Sequence, residues 1–200
     1  YGRGDCRRLT AAPRVTRYAG VVGLVARHGC HVWVRGIDKA LHQQRATRKG
    51  YPPEHPHKLG FMYLVESIDA WMEAQQPDPL LFGATPQPTY GLLVADTQDE
   101  VSRDLVGRFA HWRQSGTDHG YRPRDLKYLI DTGPSVPSED SWLIQLVDCV
   151  AYLRNRVAKI RRASGWLEAN YSQSDKTIIQ LWNDHCNQQV VDERIWPVWP

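Results

Sequence analysis

Two hundred residues are enough for one α/β domain with a substantial core, and 42% hydrophobic with 24% charged residues is an ordinary globular composition. Lys and Arg exceed Asp and Glu by 25 to 22, a net charge of +3 that is too mild to imply nucleic acid without a local basic face. No run of about 18 apolar residues could span a membrane and no charged-then-apolar leader opens the chain, so the expectation is a cytoplasmic protein.

Residues 1–14 are polar and aperiodic and read as an irregular lead-in to a single domain over 15–200. Thr16 to Ala26 is β-branched and apolar, as is His31 to Ile37, and Arg27-His28-Gly29-Cys30 between them suggests an antiparallel hairpin. Asp38 to Glu54 reads as a loop with room for a short helix. Phe61, Leu64, Val65, Ile68 and Met72 then recur at three and four, which predicts a helix from His57 to about Gln75. Tyr90 to Ala95 is a short buried strand ending at Asp96. Thr97-Gln98-Asp99-Glu100 fits a capping box for a helix carrying Val101, Leu105, Phe109 and Trp112. Leu126 to Asp131 predicts a strand, Asp140 to Arg162 a long helix and Ser174 to Asn187 a last helix. The tail from Ile195 to Pro200 cannot be helical. The order is mixed α/β without internal repeats.

Two places could carry chemistry. Asp96 closes a strand, where α/β sheets gather ligands, although a turn or capping acid is the plainer reading. On the long helix Ser141, Gln145, Asp148 and Tyr152 fall in one stripe at about 100° per residue. Leu143, Leu146, Val147, Val150, Leu153 and Val157 are assigned to the opposite side. A polar stripe of this kind is as often a wet surface as a site. The four cysteines, Cys6, Cys30, Cys149 and Cys186, form no CxxC pair and read as reduced thiols.

The pattern Ser138, Ser141, Gln145, Leu146, Asp148, Ala151 and Tyr152 resembles the C-terminal signature of the domain of unknown function 3800 family. Upstream, Val32 to Asp38, His55-Pro56-His57 leading into Phe61 to Glu66, and Leu92 to Asp96 resemble its strand and helix segments in the same order. The resemblance spans about residues 16 to 157. It implies a ribonuclease H-like mixed sheet flanked by helices, and a metal-dependent nuclease-type hydrolase of phosphodiester bonds. By that resemblance Asp96 and Asp148 are the catalytic, metal-binding acids for Mg²⁺ or Mn²⁺ and approach each other in the fold, while Ser138, Ser141 and Gln145 are supporting or substrate contacts.

Nothing in residues 1–14 matches the family's opening Asp-Glu-Ser strand, Asp5 being a poor substitute. The expectation is that this first strand lies upstream of Tyr1, the alternative being a degenerate member. Arg154, Arg156 and Lys159, with Arg161 and Arg162, are either a solvated helix end favoured by its dipole or contacts to a nucleic-acid backbone. His28 and His31 read as surface residues, and His55 and His57 as structural or capping residues. The competing functional class is a non-catalytic module that binds nucleic acid or protein on the same fold. Its partners would be DNA or RNA, a protein or a second copy of the chain, and no membrane.

Overall fold

The computed structural model describes residues 11–50, 52–77, 87–96, 101–117, 124–132 and 136–196. They form a mixed α/β protein with helices α1 (Ala11–Arg27), α2 (Lys39–Lys49), α3 (Pro56–Ala74), α4 (Val101–Ser115), α5 (Trp142–Ala163) and α6 (Gln173–His185). The strands are β1 (Val32–Ile37), β2 (Gly91–Leu93), β3 (Leu129–Thr132) and β4 (Val190–Trp196). They make two two-stranded sheets, β1 with β4 and β2 with β3. No helix among the described residues is long and apolar enough to cross a membrane. Where the sequence suggests one domain, the chain is organised as two compact units, Tyr1–Val32 with Glu139–Val191 and Trp33–Ser138 with Asp192–Pro200.

In the first unit α1, α5 and α6 surround Val22, Val25, Val150, Leu153, Val157, Trp182 and Cys186. The hairpin expected from Thr16 to Ile37 is replaced in its first half by α1, which also absorbs 11–14 of the supposed lead-in. Tyr18, Val22 and Val25 recur at four and three and pack inward, while Val15 and Val21 stay exposed. Burial at helical spacing overrides the β-preference of the branched residues. The presumed hairpin turn is a helix stop. Gly29 has φ 59°, Cys30 N–H donates to Val25 C=O at 2.9 Å, and Gly29 N–H donates to Ala26 C=O at 3.2 Å. That is a Schellman termination, which needs the left-handed residue glycine supplies.

The second unit is built around α3. Leu59, Met62, Val65 and Met72 from that helix meet Phe109 and Trp112 of α4, with Leu126 and Leu129 completing the core. The expected α3 and α4 are both present; the capping box proposed at Thr97 to Glu100 lies outside the described residues. Asp38 to Glu54 holds a helix of 11 residues, α2, capped by Asp38 Oδ1 accepting from Leu41 N–H at 3.0 Å. β2 and β3 run parallel with Gly91 opposite Leu129. A Cβ on Gly91 would lie 2.9 Å from Met72 Sδ and 3.0 Å from Leu129, so glycine permits this close approach.

β4 was not anticipated, because Asp192, Glu193 and Arg194 break any apolar alternation. It is held instead by charge: Arg35 on β1, its side chain nearly buried, pairs with Asp192 at 2.7 Å. Asp38 N–H also donates to Trp196 C=O at 2.8 Å.

β3 begins three residues later than the sequence suggests, and the reason is Asp69. This fully buried carboxylate on α3 accepts through Oδ1 from Lys127, Tyr128 and Leu129 N–H at 3.0, 2.7 and 3.0 Å. Those amides bind a side chain up to and including Leu129, where the ladder starts. Arg124 Nε stands 3.7 Å from Asp69 Oδ2, and its Nη2 pairs with Glu73 at 2.6 Å. Thr117 Oγ1 accepts from Arg124 N–H at 3.1 Å and donates to Glu66. Asp69→Ala should therefore cost about 3–5 kcal/mol in urea unfolding. Asp69→Asn, which can still accept the three amides, should cost clearly less.

Burial pushes the Glu66 carboxyl above its usual value, against the opposing effects of Thr117 and Arg124. A folded-state value above the unfolded one means stability is greatest below the ordinary carboxylate range and falls as pH rises through the folded value. Glu66→Gln retains an acceptor for Thr117 without that titration. Its stability relative to the parent should rise as pH increases from the ordinary carboxylate range through the raised folded value, as read from paired melts.

Candidate functional site

Helix α5 carries most of the candidate residues. Ser138 opens a short 3-10 turn, Ser138–Asp140, that leads into the helix. Ser141 is its N-cap, accepting from Ile144 N–H at 3.4 Å. Gln145 donates from Nε2 to Glu139 C=O at 3.3 Å, so Ser141 and Gln145, two of the three proposed supporting residues, are engaged in starting the helix. Asp148 is half-buried one turn further on. Burial, and after it the Asp148 charge, hold the Cys149 thiol above its usual pKa. Tyr152 is exposed and sets its ring edge-on to Tyr18 at 6.4 Å.

The stripe inferred from spacing is present, and Val150, Leu153 and Val157 are buried on the opposite side. Their neighbours are α1 and α6 rather than a sheet. Two residues assigned to the buried side are instead open: Leu143 is 74% exposed and Val147 62%. They lie at the margin of the apolar arc, where a small rotation decides burial, and the helix turns Leu153 and Val157 inward at their expense.

The stripe continues past the acid. At about 100° and 1.5 Å per residue, Gln145, Asp148, Tyr152, Arg156 and Lys159 fall within one narrow face that runs roughly 20 Å along α5. Arg156 and Lys159 are exposed and line a recess of about 500 Å³, together with Ile160, Ser164, Asn170 and Asp175. Asp175 brings a carboxylate into that wall; its Oδ2 accepts from Ser172 N–H at 3.3 Å and Oγ at 2.7 Å in the capping box of α6. Arg154 lies apart from Arg156 and Lys159. Its guanidinium sits 5.8 Å from the Trp182 ring, and burial, then repulsion from Arg161, lower its pKa.

α5 ends in a second Schellman turn, which spacing arguments did not single out. Gly165 has φ 63°, Trp166 N–H donates to Arg161 C=O at 2.8 Å, and Gly165 N–H donates to Arg162 C=O at 3.3 Å. Trp166 itself has φ 68°, unusual for a bulky residue and costing on the order of 1–3 kcal/mol. Trp166 is 68% exposed, with the Arg161 guanidinium 5.9 Å from its ring centroid. The Ser-Gly-Trp sequence at the close of a basic helix was the available signal.

Asp96 belongs to the second unit and Asp148 to the first. Asp96 is half-buried just beyond β2, bridged in parallel to Val136, with Val136 N–H donating to Ala95 C=O at 3.0 Å. Among the described residues no group of three or more His, Cys, Asp or Glu could hold a metal ion. Two carboxylates in separate units do not by themselves make an Mg²⁺ donor set, which takes near-octahedral oxygen ligation, and no step through a cation follows from them. His28, His31, His55 and His57 are exposed, and His55 caps α3 without a side-chain hydrogen bond. No family model, curated protein or solved structure matches the chain.

The orientation of α5 decides which face can meet a ligand, and a pair of substitutions reads it. Leu153→Ala should cost about 2–5 kcal/mol in chemical unfolding. Leu143→Ser should change stability by less than about 0.5 kcal/mol.

Proposed function

We propose that this protein binds nucleic acid along the polar stripe of α5, with Arg156 and Lys159 neutralising backbone phosphates. The observation that supports this most is the recess of about 500 Å³ that both cations line at the end of that stripe. A net charge of +3 gives little long-range attraction, so the affinity has to come from a local cluster. Lys and Arg contacts to phosphate release counterions, which makes the binding strongly salt-dependent. Arg156→Ala with Lys159→Ala should weaken oligonucleotide binding in fluorescence anisotropy. It should also make the plot of log K against log salt shallower by about one to two units. Binding that is absent at low salt, or indifferent to both substitutions, would sink this reading.

Cleavage is the second reading, favoured by Asp96 at the carboxyl end of a parallel strand, where α/β sheets gather ligands. It joins the resemblance to the ribonuclease H-like family, in which Asp96 and Asp148 are the acids that take Mg²⁺ or Mn²⁺. Under this reading each of Asp96→Asn and Asp148→Asn lowers metal-supported phosphodiester hydrolysis by roughly two to three orders of magnitude. Hydrolysis unchanged by either variant would remove both residues from the chemistry.

A further inference from the structure

We infer that the α5 recess holds one ribonucleotide of a strand, with Asp175 accepting from its 2′-hydroxyl, so that the protein selects RNA over DNA. The inference rests on the nucleic-acid reading above and specifies its substrate. Unlike charges share this recess without meeting. Arg156 and Lys159 of α5 line it, and so does Asp175 of α6. Among the described residues neither cation forms an ion pair with Asp175, so the opposite charges stand apart in one small space.

The hydrogen bonds around the recess leave acceptors open. Asp175 Oδ2 is taken by Ser172, whose N–H and Oγ–H donate to it at 3.3 and 2.7 Å. Asn170 Nδ2 donates to Ser164 C=O at 3.0 Å, and the Ser164 hydroxyl donates to Arg161 C=O at 3.1 Å. Oδ1 of Asp175 and Oδ1 of Asn170 are left without a partner among the described residues, and both are acceptors. A phosphate diester has no donor to offer and is repelled by a carboxylate. The two cations can take it, whereas Asp175 has to meet a neutral group that donates.

Ribose supplies that group. The 2′-hydroxyl sits on the carbon next to the one bearing the 3′-phosphate, so a short space can hold both. A carboxylate is a regular acceptor for ribose hydroxyls, and the 2′-hydroxyl is the group by which a protein tells RNA from DNA. Ile160 and Ala163 give the recess an apolar side for the C–H face of the sugar. A base amino group could also donate to a carboxylate. The sugar hydroxyl is nevertheless the donor nearest the phosphate that Arg156 and Lys159 hold.

The test measures the full chain by anisotropy at low salt against labelled oligouridylate of about ten nucleotides. Oligodeoxyuridylate and 2′-fluoro oligouridylate of equal length are the comparison strands. The base is the same in all three, and fluorine keeps the sugar pucker of RNA but cannot donate. RNA should bind roughly 5- to 50-fold more tightly than DNA, with the 2′-fluoro strand close to DNA. Asp175→Ala removes the acceptor and should bring the RNA and DNA affinities within about twofold of each other. Asp175→Asn keeps acceptance from Ser172 and should give an intermediate ratio, because a bond to a neutral amide is weaker. The ratio is read within each variant, so lost helix capping that weakens every strand alike leaves it unchanged. Equal affinity for RNA and DNA, 2′-fluoro binding that matches RNA, or a ratio indifferent to Asp175→Ala overturns the 2′-hydroxyl contact and leaves the phosphate-binding reading standing. Failure to bind any oligonucleotide overturns both. Uridine monophosphate that competes as well as unlabelled oligouridylate overturns both in favour of a free ribonucleotide.

Discussion

Asp69 places a carboxylate with no solvent exposure inside the second unit, and three consecutive backbone amides converge on one of its oxygens. Removing a charge from water is expensive unless hydrogen bonds replace the lost hydration, and each charge-assisted bond is stronger than a neutral one. The arrangement fixes the turn from Lys127 to Leu129 and so sets where β3 begins. Through Arg124 the same network reaches Glu73, and through Thr117 it reaches Glu66. Leu126 and Leu129, on either side of that turn, are thereby held in the core between α3 and α4. Register of β3 against β2, and with it the position of Asp96 beyond β2, follows from a side chain on a different element.

The first unit solves a different problem. α5 must bury one face between α1 and α6 while leaving a polar stripe outward, and its inward groups are satisfied locally. The Tyr18 hydroxyl donates to Cys149 C=O, and burial, followed by the nearby Cys149, Tyr152 and Cys186, pushes that phenol well above its ordinary pKa. Burial alone raises Cys186 to about 11, so it stays a thiol at neutral pH. Trp182 donates to Asn187 at 3.2 Å and borders Arg154. Arg154 is thereby half-buried against Trp182, which separates it from Arg156 and Lys159 although only one residue lies between it and the first of them.

Periodicity was enough for α3, α4, α5 and α6, whose apolar residues recur at three and four without interruption. It was also enough for the stripe containing Asp148. It failed at α1, where Gly20, Gly23 and several valines imitate a strand, and at β4, where an ion pair does the work that apolar alternation does elsewhere. Asp69 was invisible for a related reason. It sits among apolar neighbours at a helical position, and its partners are amides about 58 to 60 residues away. No local pattern records a tertiary hydrogen bond. At Trp166 the local sequence signals only the glycine stop beside it, because a positive φ at a bulky residue belongs to the backbone.

The first unit is assembled from two stretches of chain with residues 33–138 lying between them. On a ribosome α1 emerges before the α5 and α6 side chains that cover Val22 and Val25, which follow only after that intervening stretch. Contacts this distant in sequence slow folding, because a long loop must close before any burial is gained. During that interval the apolar face of α1 is exposed to solvent and to other nascent chains. The residues after Val32 can collect around α3 meanwhile, so the second unit is positioned to fold before the first.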